Sequence, residues 1–353
     1  MKKCYINGLG CITAQNTTDA GFLENTVDFS EHFELRMLHP DYKPYIPAGA
    51  LRRMSTSVKS GVLASKFAME EAGVTELDAI ITGTGLGCIQ DSEKFLTSLL
   101  DNDEQYLTPT SFIQSTHNTV AGQIALGLQC KAYNVTYVNG GASFSSALLD
   151  GLMKIQNHKS NVLIGGTDEL SNYTNFLYRS IHHYKDEGKA PGNILKERSV
   201  GCVPSEGSVF FVLSDQLQSS SYAELVDVTQ RNRVSNDKLK PFIEQFLAYN
   251  NLSLEDIDLI LLGNNGDSQF DDAYDIVEQE TPQIPKAFYK HLFGDFMTAP
   301  AVSLWIAAKI LKTQHLPEIL LKDKANIQTP IRTILMYNQY RGKDHSLMLV
   351  RNV

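Results

Sequence analysis

The sequence predicts a layered α/β protein built from two related halves, and three observations carry that expectation. First, its strands read as uninterrupted apolar runs that end in glycine-rich loops, as in Ala79-Ile-Ile-Thr-Gly83 and Leu259-Ile-Leu-Leu-Gly263. Such runs suit strands buried on both faces. Second, each of these runs follows an amphipathic helix and an aspartate, Asp78 or Asp258, that precede glycines in matching places, Gly83 and Gly263. Third, residues 134–152 read as a strand, a tight turn of small residues and a helix. Neither half could bury its strands alone, so one fused five-layer α/β/α/β/α body is expected, with halves at residues 1–218 and 219–353.

The elements follow in order. Cys4-Tyr-Ile-Asn-Gly8 opens as a β-strand and breaks into glycine too early for a signal-peptide core. A helix runs from about Ser55 to Ala72 and feeds the strand ending at Gly83. The strand Asn134–Asn139 is rich in β-formers and would leave an open edge on a monomer. After the turn at Gly140-Gly141 the helix continues to Ile155, and Asn161-Val-Leu-Ile-Gly-Gly166 is another buried strand. In the second half a helix from about Asp237 to Tyr249 precedes the strand ending at Gly263. A long apolar helix spans Ala299–Leu311, and Glu318-Ile-Leu-Leu-Lys322 is expected to supply the next strand.

Composition narrows the function classes. Hydrophobic residues make up 42% and charged residues 20%, which suits a globular protein with a large core. A net charge of −9 and the lack of any Lys/Arg-rich run exclude a general nucleic-acid binder. Five scattered cysteines without a C-x-x-C pair argue against a metal site or a disulfide framework and fit a reducing cytoplasm. No run approaches the roughly 18 apolar residues that a spanning helix needs, so no membrane span is expected.

Six segments, in order, resemble the β-ketoacyl synthases, condensing enzymes of the thiolase-like fold. They are Tyr5-Ile-Asn-Gly8-Leu-Gly10, Arg52-Arg53-Met54 before the first long helix, and Thr82-Gly-Thr-Gly85-Leu-Gly87. Asn118-Thr-Val-Ala-Gly122-Gln-Ile, Gly165-Gly166-Thr-Asp-Glu169 and Ser205-Glu206-Gly207-Ser208 complete the set. The resemblance implies a thiolate that holds an acyl chain, two histidines that activate the malonyl partner, a lysine, and a Phe-Gly-rich gating loop. No cofactor is implied.

The inheritance of that machinery is partial. The cysteine position is Gly141. The first histidine falls at Gly263 without gaps, or at Asn264 or Asn265 after a slide, and no histidine exists from 184 to 290. Lys286-Ala-Phe-Tyr-Lys-His291 resembles the family's Lys-x-x-x-Gly-His, which makes Lys286 and His291 the expected catalytic survivors. In the gating loop, Asn338 is kept and the gating Phe becomes Gly342. Asn338, Gly342 and Phe112 are the expected substrate-binding positions, and the chain is short around 225–240 and 268–285, where the acyl pocket and its cap are built. Without the thiol, acyl transfer has no covalent anchor. Ser143 and Ser145 read as helix caps, Cys88 as a small buried hydrophobe, and Asp267–Asp275 as a solvated acidic loop.

These readings lead to a non-condensing partner similar to chain-length factors, paired with an active ketosynthase in type II fatty-acid or polyketide synthesis (aryl-polyene or flexirubin-like). The expected partners are that ketosynthase and an acyl carrier protein, in a homodimer or heterodimer in the cytoplasm. The alternatives are an acyl transferase or malonyl decarboxylase with altered chemistry centred on His291, and a ligand-binding scaffold.

Overall fold

The computed structural model of the chain describes residues 2–18, 21, 25–188, 190–322 and 330–353. The first part runs β1 (Tyr5–Ile12), α1 (Ala48–Leu51), α2 (Thr56–Ala72), β2 (Ala79–Gly83), α3 (Ile89–Asp101), α4 (Pro109–Gln114) and α5 (Thr119–Leu128). It continues through β3 (Tyr133–Tyr137), α6 (Ser143–Gln156), β4 (Asn161–Asp168), α7 (Asn172–Ser180) and β5 (Gly207–Ser214). The second part runs β6 (Ala223–Asn232), α8 (Leu239–Tyr249), β7 (Leu259–Leu262), α9 (Asp272–Glu280) and β8 (Lys286–Phe288). It ends with α10 (Lys290–Phe293), α11 (Pro300–Thr313), β9 (Thr333–Tyr340) and β10 (Asp344–Arg351).

The strands lie in the order β3-β2-β4-β5-β1-β6-β10-β9-β7-β8. Read inward from either edge, the second five repeat the first five. In each block the second strand pairs in parallel with two neighbours, β2 with β3 and β4, and β7 with β8 and β9. The last strand of each block then pairs antiparallel on both sides. Among the described residues, the sheet joins the blocks where β1 pairs with β6, at Tyr5↔Glu224 and Ile6↔Ala223.

Side-chain alternation separates the layers. On β2, Ile81 faces the central cluster and Ile80 the outer one; on β5, Phe211 and Phe210 divide in the same way. On β7, Leu261 faces the centre while Ile260 and Leu262 face outward. The central cluster joins α6 (Phe144, Leu148) to α11 (Trp305, Ile306) between the two blocks. The helix α2, through Val58 and Leu63, covers one outer face, and α8 and α9, through Phe242 and Tyr274, cover the other. Five layers result.

Local signals set the helix ends. Gly73 takes φ 64° and closes α2 in a left-handed cap, and Pro300 occupies the first turn of α11. One expected strand is corrected: Glu318–Leu320 is a single 3₁₀ turn following Pro317, closed by Leu320 N–H donating to the Pro317 carbonyl. The strand starts instead at Thr333, where the Asp258 carboxylate accepts the N–H groups of Arg332 and Thr333 at 2.7 and 2.8 Å.

Candidate functional site

The turn between β3 and α6 is built from small residues because other groups crowd it. Gly140 has φ 55°, and the backbone passes through a 3₁₀ turn before α6 begins at Ser143. The Ser143 hydroxyl accepts from Asn139 N–H at 2.8 Å and donates to the Gly140 carbonyl at 2.7 Å, which pins the turn. A Cβ on Gly141 would lie 2.2 Å from Tyr340 Cβ and 2.5 Å from its Cγ. The volume that a side chain at 141 would need belongs to Tyr340.

Tyr340 is fixed from both ends. Its backbone leads into a two-residue turn in which Arg341 and Gly342 take φ 50° and 63° and Lys343 N–H donates to the Tyr340 carbonyl at 3.0 Å. Positive φ at both central positions is the type I′ pattern that suits a hairpin's twist. Its hydroxyl shares a 3.0 Å hydrogen bond with His183 Nε2. The His183 ring stacks on Tyr178 at 4.6 Å and meets Tyr184 edge-on. Burial, reinforced by the Arg341 charge, pushes the His183 pKa down to about 4, so the imidazole is neutral near pH 7. The space left between Tyr340, His183, Tyr184, Cys202, Asp295 and Phe296 is about 30 Å³. That is room on the scale of one water molecule.

The second block brings polar groups to the same place. Asn265 Nδ2 donates to Asp295 Oδ2 at 2.6 Å, and Lys290 Nζ lies 2.6 Å from Asp295 Oδ1 in a pair that is almost fully buried. Asp271 accepts from the N–H groups of Gly266 (2.8 Å) and Asn265 (3.4 Å), and burial pushes its pKa up to about 6. Asp267 accepts from Gly201 N–H at 3.0 Å, and Lys185 Nζ donates to the Gly266 carbonyl at 2.9 Å. The expectation of a solvated acidic loop is therefore corrected: Asp267 and Asp271 are buried and clamp the loop that carries Asn265. Asp168 ties the two blocks together by accepting from Thr84 and Gly85 on one side and from Thr298 on the other.

The remaining expected positions are dispersed. Lys286 Nζ donates to the carbonyls of Thr281 and Ile284. His291 bonds the Ile319 carbonyl through Nε2 at 2.8 Å and lines a different groove, beside Thr26, Phe29 and Ile194. The structure does not bring this pair to Gly141. After β8 the chain makes the short α10 and a turn at Gly294 (φ 68°), so the residue delivered to the cavity is Asp295. Gly263 backs onto Asn338, whose Oδ1 would sit 2.4 Å from a Cβ there, and of the three candidate positions Asn265 is the one bonded to Asp295. Asn338 is buried and accepts from Tyr289 Oη at 2.7 Å, away from the cavity. Gly342 serves the hairpin turn. Phe112 is 56% exposed on α4, with its ring against Phe95.

The possible substitute nucleophiles are occupied or inert. Ser145 bonds the Ala142 carbonyl and Gln230, and Cys88 is fully buried with its thiol pushed up to about 12 by burial. Ser143 and Ser145 bond turn carbonyls rather than free helical N–H groups, which corrects their expected capping role. Tyr340, His183, Lys290 and Asp295 were missed by the sequence reading. Lys290 and Asp295 repeat the five-residue separation of Lys286 and His291, which is the one signal that could have found them.

Comparison with known proteins agrees with this layout. The ishigamide ketosynthase/chain length factor matches over 100% of this chain and 99% of its own, at TM-score 0.83 and 17% identity. The ketosynthase ApeO in complex with its chain length factor ApeC, from Xenorhabdus doucetiae, covers 100% of this chain and 98% of its own at TM-score 0.80 and 16% identity. A curated relative, 3-oxoacyl-[acyl-carrier-protein] synthase 2 of Synechocystis sp. (strain ATCC 27184 / PCC 6803 / Kazusa), is 26% identical over 227 residues, or 61% of this chain. That match spans about half the relative's length (52%). Among the described residues no helix is long and apolar enough to cross a membrane. The family model described as Beta-ketoacyl synthase, N-terminal domain, matches residues 21–218, more than half of the sequence, and the chain therefore belongs to the β-ketoacyl synthase family.

Proposed function

We propose that this chain is a non-condensing, ketosynthase-like subunit that pairs with an active ketosynthase in type II fatty-acid or polyketide synthesis, in the manner of a chain-length factor. The observation that carries the reading is Tyr340, which fills the space next to Gly141 where the family's chemistry needs a thiol. Asn265 and an ion-paired Asp295 stand at the cavity in place of two histidine bases. A carboxylate held by Lys290 is poorly suited to draw a malonyl carboxylate into a cavity of about 30 Å³. Ketosynthase and chain-length-factor pairing in structural neighbours supports the choice of partner. The five free cysteines suit a reducing cytoplasm. Altered catalysis centred on His291 has less support, because that ring is engaged with Ile319 in another groove.

The surface supports pairing. Among the described residues β3 is an edge strand bonded to β2 alone, and Leu126, Val138 and Met153 on the elements around it are exposed. An open edge beside apolar side chains favours association. An interface above about 2,000 Å² is expected, in the obligate range. Co-expression with an active type II ketosynthase of the same genome, followed by size-exclusion chromatography and native mass, tests the reading. A one-to-one complex is expected. A monomer at micromolar concentration that ignores the ketosynthase would overturn it.

A further inference from the structure

The chain has 40 acidic residues against 31 lysines and arginines, so carboxylates are in surplus. Among the described residues the arginine ion pairs are those of Arg36, Arg179, Arg198 and Arg351. Arg231, Arg233, Arg341 and Lys343 form none, and the backbone gathers them at one place. His345 on β10 faces Arg231 on β6, and Arg233 N–H donates to the Lys343 carbonyl at 2.6 Å. Arg341 and Lys343 share the turn that holds Tyr340 over Gly141. One acid sits among them, Asp344, and its Oδ1 is engaged by Asn232 at 2.9 Å.

Arg341 is the pivotal member. Its guanidinium lies over the Phe270 ring at 5.1 Å, and its Nη1 is buried with no hydrogen-bond partner. A buried unpartnered nitrogen on a charged group calls for an explanation. The guanidinium fork matches two oxygens of a carboxylate or phosphate. Arg231 is engaged on α8 by Gln245 and Phe242, and the two further cations beside the turn, Arg233 and Lys343, suit a group that carries more than one negative charge.

We infer that the Arg341 turn, with Arg233 and Lys343, is a phosphate-recognising subsite beside the hairpin that carries Tyr340. The phosphate is either that of a small soluble molecule or one tethered to a carrier protein. The tethered case rests on the function proposed above, and the free case does not.

Calorimetric titration tests both sources, with pyrophosphate as the free probe and a carrier protein with and without its phosphorylated arm as the tethered probe. Arg341→Asn is the variant of choice because asparagine tolerates the positive φ. Saturable binding of at least one probe is expected, weakened about tenfold or more by Arg341→Asn. Arg233→Asn and Lys343→Gln should each weaken it about threefold, while Lys240→Gln, distant and paired with Glu280, should leave it unchanged. A cooperative urea-unfolding transition confirms that the variant is folded. Failure of both probes to bind, or equal binding by Arg341→Asn, overturns the subsite. If either result coincides with an intact complex with the ketosynthase, the subsite fails while the pairing reading stands.

Discussion

In the first block the Asp78 carboxylate accepts the backbone N–H groups of Ser160 and Asn161 at the head of β4. In the second block Asp258 accepts those of Arg332 and Thr333 at the head of β9. Strand order, strand direction and this aspartate clasp are thus repeated across the two blocks. The loops that follow β2 and β7 are not. Thr84-Gly85 is held by Asp168, whereas Asn265-Gly266 is clamped by Asp271 and reaches Asp295. The repeated features are those that bury strands and fix register. The divergence is confined to strand ends, where side chains from the second block close over the turn of the first. Architecture and chemistry can therefore separate in such a body, because different residues determine them.

The largest expected effect falls on the divergent side. Asp295→Ala leaves the Lys290 ammonium buried without a counter-charge, which should cost about 3–5 kcal/mol in denaturant unfolding. The double change Lys290→Met with Asp295→Leu should recover most of it. A small loss for Asp295→Ala alone would mean that the pair is not buried as described.

Next comes the turn itself. Gly141→Cys places a Cβ against Tyr340 Cβ, an atom next to the backbone that cannot swing away, and should destabilise by about 2–3 kcal/mol. Adding Tyr340→Ala should relieve the overlap. A fully stable Gly141→Cys would show that Tyr340 does not occupy the site.

The repeated side gives a matched pair. Asp78→Ala and Asp258→Ala should each cost about 1–2 kcal/mol and differ from one another by less than about 1 kcal/mol. A large inequality, read from urea midpoints, would break the equivalence of the blocks.

A further effect, spread over a pH window, concerns His183. The His183 pKa is held near 4, below its usual value of about 6.5. Between those values the unfolded chain takes up a proton that the folded chain refuses, so stability falls as pH drops through that window. His183→Phe should flatten the slope by roughly 1–3 kcal/mol across it. Glu169, pushed up to about 7 by burial, and Asp271, near 6, act in the opposite sense, so the readout is the difference between variant and parent.

The legible part of the fold was what local pattern specifies. The apolar runs ending at Gly83 and Gly263, with Asp78 and Asp258 before them, were readable because burial on both faces and a strand-end clasp leave short-range traces. The turn at Gly141 was readable for the same reason. The site was less so. The spacing that pointed to Lys286 and His291 is met equally by Lys290 and Asp295, and only the course of the chain through Gly294 chooses between them. Tyr340 and His183 lie 157 residues apart in sequence and meet through packing alone. Glu318–Leu320 had strand-like composition, yet Pro317 and the late clasp at Arg332 place the strand beyond it.

The central claim is that the turn at Gly141 is closed and carries no acyl group, whatever its partner does. Intact-mass analysis of the complex purified with its ketosynthase, after incubation with acyl-carrier substrate, resolves the two chains in one spectrum. The account predicts an acyl adduct on the ketosynthase chain and none on this one. A stable adduct on this chain, lost on mutating Ser143, Ser145 or Cys88, would contradict it.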